Sequence, residues 1–168
     1  MKPATGECLK HWPVWRTLTI GEVSKDNLAN RLKDGDFLVS DRARDVMSGR
    51  EFTTLSEPMG ISLVRLKVRD LGFMKETTTT DELFRRAEEY SLDLCPAEVG
   101  PHLRLTLTDQ PRNDGFSVVM EPIADSDGNP HIFYIWRDRD GWRWLSASGA
   151  NRFDLWNLVG ELVFCLRK

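Results

Sequence analysis

A chain of 168 residues with 40% hydrophobic, 29% charged and 10% aromatic residues has the make-up of a folded domain, which excludes wholesale disorder and fits one core that needs no disulfide or metal staple. A formal net charge of −3 and a pI near 5.7 argue against general nucleic-acid binding, which rests on phosphate neutralisation by a basic face. Cys8, Cys95 and Cys165 stand far apart without CxxC spacing, so the expectation is reduced thiols in a cytoplasmic setting, with no disulfide framework and no zinc site.

No apolar run is long enough for a signal peptide near the start or for a membrane span anywhere, and residues 1–13, which include Pro3 and Gly6, read as a flexible tail. Residues 15–20 read as a strand, with Leu18 and Ile20 on one side and Trp15, Thr17 and Thr19 on the other. Ser24 has the chemistry of an N-cap, and Leu28, Ala29 and Leu32 recur at helical spacing until Gly35. Ser40 caps a second predicted helix, whose Ala43, Val46 and Met47 share a face before Gly49. Residues 61–68 alternate, Val64, Leu66 and Val68 against Arg65, Lys67 and Arg69, as in a strand with one wet side. Thr79 and Glu82 have capping-box spacing and open a third helix, with Leu83, Phe84, Ala87 and Tyr90 on its inner stripe.

In the segment 94–105 two prolines and a glycine, Pro96, Pro101 and Gly100, bracket Glu98, which predicts a rigid turn. The period then becomes two: Leu103, Leu105 and Leu107 alternate with Arg104, Thr106 and Thr108, predicting a strand over residues 103–108. Further strands are expected over 116–121, 132–137, 142–146 and 162–166, separated by turn clusters at 110–115, 125–130 and 138–141. Short connections of this kind favour an antiparallel meander. Residues 149–160 are too long for a tight hairpin and predict a helical turn around 153–158.

Residues 94–105, together with Met120, Glu121, Pro122 and Ile123 and with Asp125, Ser126, Asp127 and Gly128, resemble an uncharacterised family of small bacterial proteins. In that family a glutamine usually stands where this chain has His102, which argues against His102 as an essential catalyst. The resemblance implies a shared fold and brings no activity, cofactor or catalytic residue with it.

The chain contains no nucleophile elbow, phosphate loop, dinucleotide-binding glycine pattern or HExxH. Glu98 on its turn and Arg104 on the following strand are candidates to bind a polar ligand, and Glu98 and Glu121 are the candidate acid/base groups if the protein is an enzyme. Pro96 and Pro101 lack amide donors, which leaves Glu98 few local backbone partners. Cys95 beside His102 resembles a thiol nucleophile with its base, yet a free cysteine flanked by Leu94 reads as packing. Asp125 to Gly128 lacks the later bidentate glutamate of a calcium loop and reads as a hairpin turn, so no metal is expected. The row Arg65, Lys67 and Arg69, with Arg42 and Arg44 upstream, reads as charge that discourages strand-to-strand aggregation.

Tyr134, Trp136, Trp142 and Trp144, with Phe133 beside them and Arg137 and Arg143 flanking, fall on adjacent predicted strands and make the candidate recognition surface. The expected fold is a single α+β domain over residues 1–168, with an N-terminal half of mixed strands and helices packed on a C-terminal antiparallel meander. The expected function is a non-catalytic binding or interaction module that recognises a protein or small polar ligand through Glu98, Arg104 and the aromatic hairpin, without a cofactor. The alternative is an enzyme acting on a small polar substrate by carboxylate acid/base chemistry.

Overall fold

A computed structural model describes residues 11–168. It has the α+β composition expected: four α-helices and a large, mostly antiparallel sheet among the described residues. In chain order the elements are β1 (Arg16–Ile20), α1 (Lys25–Asp34), β2 (Leu38–Val39), α2 (Asp41–Ser48), β3 (Met59–Lys67), a 3-10 turn (Val68–Leu71), β4 (Thr77–Thr79), α3 (Thr80–Glu89) and β5 (Leu92–Asp93). There follow α4 (Val99–Thr106), β6 (Asp114–Val118), β7 (Ile123–Ala124), β8 (Pro130–Arg137), β9 (Arg143–Gly149), β10 (Leu155–Asn157) and β11 (Glu161–Leu166).

The three N-terminal helices start where their caps dictate. Ser24 and Ser40 accept from the backbone amides of Asn27 and Ala43, and Thr79 and Glu82 satisfy each other's amides in a capping box. Each then turns its apolar stripe inward, Leu28 and Leu32 in α1, Ala43, Val46 and Met47 in α2, and Leu83 and Ala87 in α3.

The main sheet runs β1-β3-β11-β6-β8-β9-β2, with β5 on β11 and β7 on β8. β6, β8 and β9 form the expected antiparallel succession, but the last strand returns to the middle of the sheet. β11 lies between β3 and β6, antiparallel to the first and parallel to the second. Strands from both halves of the chain therefore share one sheet, in place of a C-terminal meander covered by N-terminal elements.

Alternation along the strands divides the core in two. Leu63, Phe116, Val118, Phe133, Ile135, Leu145 and Val163 face α1, α2 and α4, while Val64, Leu66, Leu162 and Phe164 face α3. β3 is thus covered on both faces. Arg65 is not on an open edge but half-buried, ion-paired with Asp114 and Glu161 and set over the rings of Trp15 and Phe116.

Two local expectations are corrected. Residues 103–108 are the end of helix α4 and the residues just past it, not a strand. Val99, Leu103 and Leu107 also recur every fourth residue, and all three are buried, so the helical period wins over the alternating one. Pro101 sits in the first turn, where its missing amide costs nothing, and Gly100 lets the Phe133 ring lie against the helix backbone: a Cβ there would come within 2.6 Å of it. The helical turn expected at 153–158 is instead β10, antiparallel to β4 in a separate two-stranded ribbon. The expected tail 1–13 lies mostly outside the described residues; within the described part, Trp12 is buried and packs edge-on against Tyr90 with ring centroids 6.0 Å apart.

Candidate functional site

Glu98 and Arg104 are both in place at α4, and neither faces solvent. Glu98 precedes the first turn and is 1% exposed. Its Oε1 accepts from the Leu55 amide at 2.8 Å and its Oε2 from the Gly21 amide at 3.1 Å, with His102 Nε2 at 3.2 Å. The prolines do remove local amides, but two amides from distant loops take their place. Burial holds the His102 imidazole below its ordinary value, against the opposing pull of the Glu98 carboxylate, and Arg31 adds to the lowering. This carboxylate is a staple joining α4 to the segments after β1 and before β3.

Arg104 is fully buried and does not touch Glu98. Its Nη1 donates to Gln110 Oε1 at 2.8 Å and to the carbonyls of Trp136 and Trp144 at 3.3 and 3.4 Å, and its Nη2 to the Leu107 carbonyl at 2.9 Å. Burial first, then Arg143 and Arg137, bring its pKa down to about 10, so it remains a cation at neutral pH. It locks α4 to the backbones of β8 and β9.

Cys95 is buried, its thiol donating to the Val163 carbonyl at 3.7 Å, and burial and Cys165 push its pKa up. That is the environment of a packed thiol, not of a nucleophile. Glu121 is exposed. Asp125 is a buried hub that sequence reasoning treated only as a turn residue. It accepts from the amides of Asp127 and Asn129, from His131 Nε2 at 2.8 Å and from Arg42. The Asn129 amide, His131, the Asp127 amide and Arg42 outweigh burial and lower its carboxyl to about 2. Asp45 accepts from the amide and hydroxyl of Ser126, and so α2 is pinned to the β7–β8 turn.

The aromatic residues divide. Trp136 and Trp144 are cross-strand partners on the sheet face opposite α4, with ring centroids 5.9 Å apart and an interplanar angle of 19°. Trp136 Nε1 donates to Ser146 and Trp144 Nε1 to Asp138. Tyr134 lies on the same face, half-buried, and its ring occupies the space that a side chain at Gly115 would fill. Burial raises its phenol. Phe133, on the other face, is core.

Trp142 and Trp144 also close one end of a cleft of about 870 Å³ between α1, β2 and α2. Leu32, Phe37, Val39 and Met47 supply its apolar depth, and Lys25, Asp26, Lys33 and Arg44 stand at its rim. The cleft lies at the end of the sheet, where β2 is only two residues long and α2 begins almost at once. Trp142 is 55% exposed, so its indole is available to a ligand. Sequence reasoning picked out both tryptophans but not the helical walls, whose cleft-facing residues read as ordinary solvated helix. No family model, curated protein or solved structure matches the chain.

Proposed function

We propose that the protein is a non-catalytic binding module whose site is the cleft between α1, β2 and α2. The observation that carries this reading is a preformed concavity lined by apolar residues, by Trp142 and Trp144 and by charged side chains, with the Trp142 indole exposed. Its size falls within the range of small-molecule sites, roughly 300–1,000 Å³. The ligand that fits is a small molecule with a flat apolar part to lie against Trp142 and polar groups that reach Lys25, Lys33 or Arg44. Carboxylate acid/base chemistry has less support, because neither Glu98 nor Glu121 lines the cleft and both oxygens of Glu98 are engaged by backbone amides.

The test is an NMR screen of aromatic fragments, read on both the fragment signals and the protein's indole resonances, against the native chain and against Ala29→Trp. Ala29 is exposed on the cleft-facing side of α1, so the larger side chain fills the cleft without entering the core. Fragments should shift the Trp142 indole resonance in the native protein and lose binding in Ala29→Trp. Equal binding to both proteins, or no effect on Trp142, would rule the cleft out.

A further inference from the structure

A second feature lies where α4 meets the β8–β9 hairpin, and it does not depend on how the cleft is read. Three guanidinium groups converge on residues 107–110. Arg104 donates to the Leu107 carbonyl and the Gln110 side chain, Arg137 Nη1 to the Gln110 carbonyl at 2.9 Å, and Arg143 Nη2 to the Thr108 carbonyl at 2.9 Å. Arg137 also donates from Nε to Gly141, against which Arg112 packs.

Every acceptor in this cluster is neutral. Among the described residues, no ion pair includes Arg104, Arg137 or Arg143. The neighbouring carboxylates are committed elsewhere: Asp109 to Arg16, Asp114 to Arg65, and Asp138 to the Trp142 amide and the Trp144 indole. Arg137 and Arg143 are moreover directly opposed across the β8–β9 ladder, an arrangement that repels. The Nε atoms of Arg104 and Arg143 are buried without any partner. A buried donor left unmade is costly, and a buried cation without an anion more so.

We infer that this cluster is an oxyanion site, in which a phosphoryl or carboxylate group sits between Arg137 and Arg143 while the buried Arg104 adds positive charge from behind. Arg137 and Arg143 are half-buried, so a ligand reaches them, whereas Arg104 acts only through its field. Among the described residues, no hydrogen bond engages Arg137 Nη2 or Arg143 Nη1. Two guanidiniums suit an oxyanion better than lysines would, because their planar, fixed geometry aims the uncommitted Nη2 of Arg137 and Nη1 of Arg143 while Nε and Nη1 of Arg137 and Nη2 of Arg143 hold each group in place. The site recognises a single anionic group, which agrees with a chain of net acidic charge that lacks an extended basic face.

The experiment measures the thermal unfolding midpoint of the native chain in inorganic phosphate, sulfate, acetate and chloride at matched ionic strength. Phosphate should raise the midpoint saturably above the chloride value, since an anion that binds only the folded state stabilises it by mass action. A comparable rise in acetate assigns the site to carboxylates, and a rise confined to phosphate and sulfate assigns it to phosphoryl-type groups. Arg143→Met and Arg137→Met should each weaken the apparent affinity by about tenfold or more, the loss of one charge-assisted partner. Arg152→Met, which removes an exposed partner of Asp81, should respond to phosphate as the native chain does.

Should a methionine variant fail to fold, Arg143→Lys keeps the charge and loses the fork, and its affinity should still fall. The same weakening should appear in the arginine Nε–H resonances, with that of Arg143 shifting on phosphate addition in the native protein. A midpoint no higher in any oxyanion than in chloride, or a rise undiminished in the Arg137 and Arg143 variants, would overturn the assignment.

Discussion

Gln110 stands between Arg104 and Asp114: its Oε1 accepts from the buried guanidinium at 2.8 Å and its Nε2 donates to the Asp114 carboxylate at 3.1 Å. The cation of α4 thus reaches an anion only through a neutral amide, and Asp114 in turn pairs with Arg65, which also binds Glu161. The chain of contacts ties α4 to β6, β3 and β11. Buried polar networks of this sort hold one arrangement of the core because any other leaves a member unpaired.

The separate partners of Glu98 and Arg104 make their energetic contributions independent. Glu98→Ala leaves two loop amides without their acceptor and should cost about 2–4 kcal/mol. Arg104→Met should cost about 2–4 kcal/mol for the stranded carbonyl and amide acceptors, less whatever is regained by removing a buried charge. Because they share no partner, the double variant should be additive within about 0.5 kcal/mol. Urea unfolding midpoints of the four proteins check this, and a coupling much above that value would mean that the two side chains act as one clamp.

Gly100→Ala should destabilise the fold by about 1–3 kcal/mol, the cost of overpacking a filled core. The added Cβ meets the Phe133 ring at 2.6 Å, so the penalty comes from one identified neighbour. Phe133→Leu, which shortens that side chain, should remove most of the penalty when combined with Gly100→Ala. Denaturant unfolding of the single and double variants decides the matter, and no rescue would place the strain in the helix backbone.

Asp125 makes stability depend on acid pH. Its folded-state carboxyl lies at about 2, below the ordinary value of 3.8, so the folded state holds its proton less tightly than the unfolded chain. The stabilisation is therefore complete above the ordinary value and is lost as pH falls from there through about 2. Asp125→Asn should show the largest deficit relative to the native chain near neutral pH, and the deficit should shrink over that acid window. A deficit independent of pH would show that shape, not charge, is what the hub needs.

The whole described chain should unfold in one transition, since β3 and β11 contribute to both core clusters and Trp156 packs against each. Near-ultraviolet and far-ultraviolet circular dichroism should give coincident thermal curves. Two resolved transitions would divide the helix-covered sheet from the α3 side.

The local signals in the sequence were sufficient for whatever is decided within a few residues. Ser24, Ser40 and the Thr79–Glu82 box begin their helices because a side-chain oxygen meets amides two or three positions away, and the turns at 125–130 and 138–141 close because Asp, Gly and Asn stabilise them locally. Strands β6, β8, β9 and β11 were legible from their apolar alternation and β-branched or aromatic residues. Residues 99–107 carried two periods at once, and only the cover supplied by α1, β1, β8 and β9 selected the helical one. β2, β4 and β10 are two or three residues long and exist because distant strands pair with them, while β11 enters the sheet beside β6 through contacts some 45 residues apart. The burial of Arg104, the amides that hold Glu98 and the cleft that Trp142 closes are likewise products of chain segments brought together from far apart. Side-chain chemistry named these residues, but tertiary packing determined which of them face a ligand and which hold the protein together.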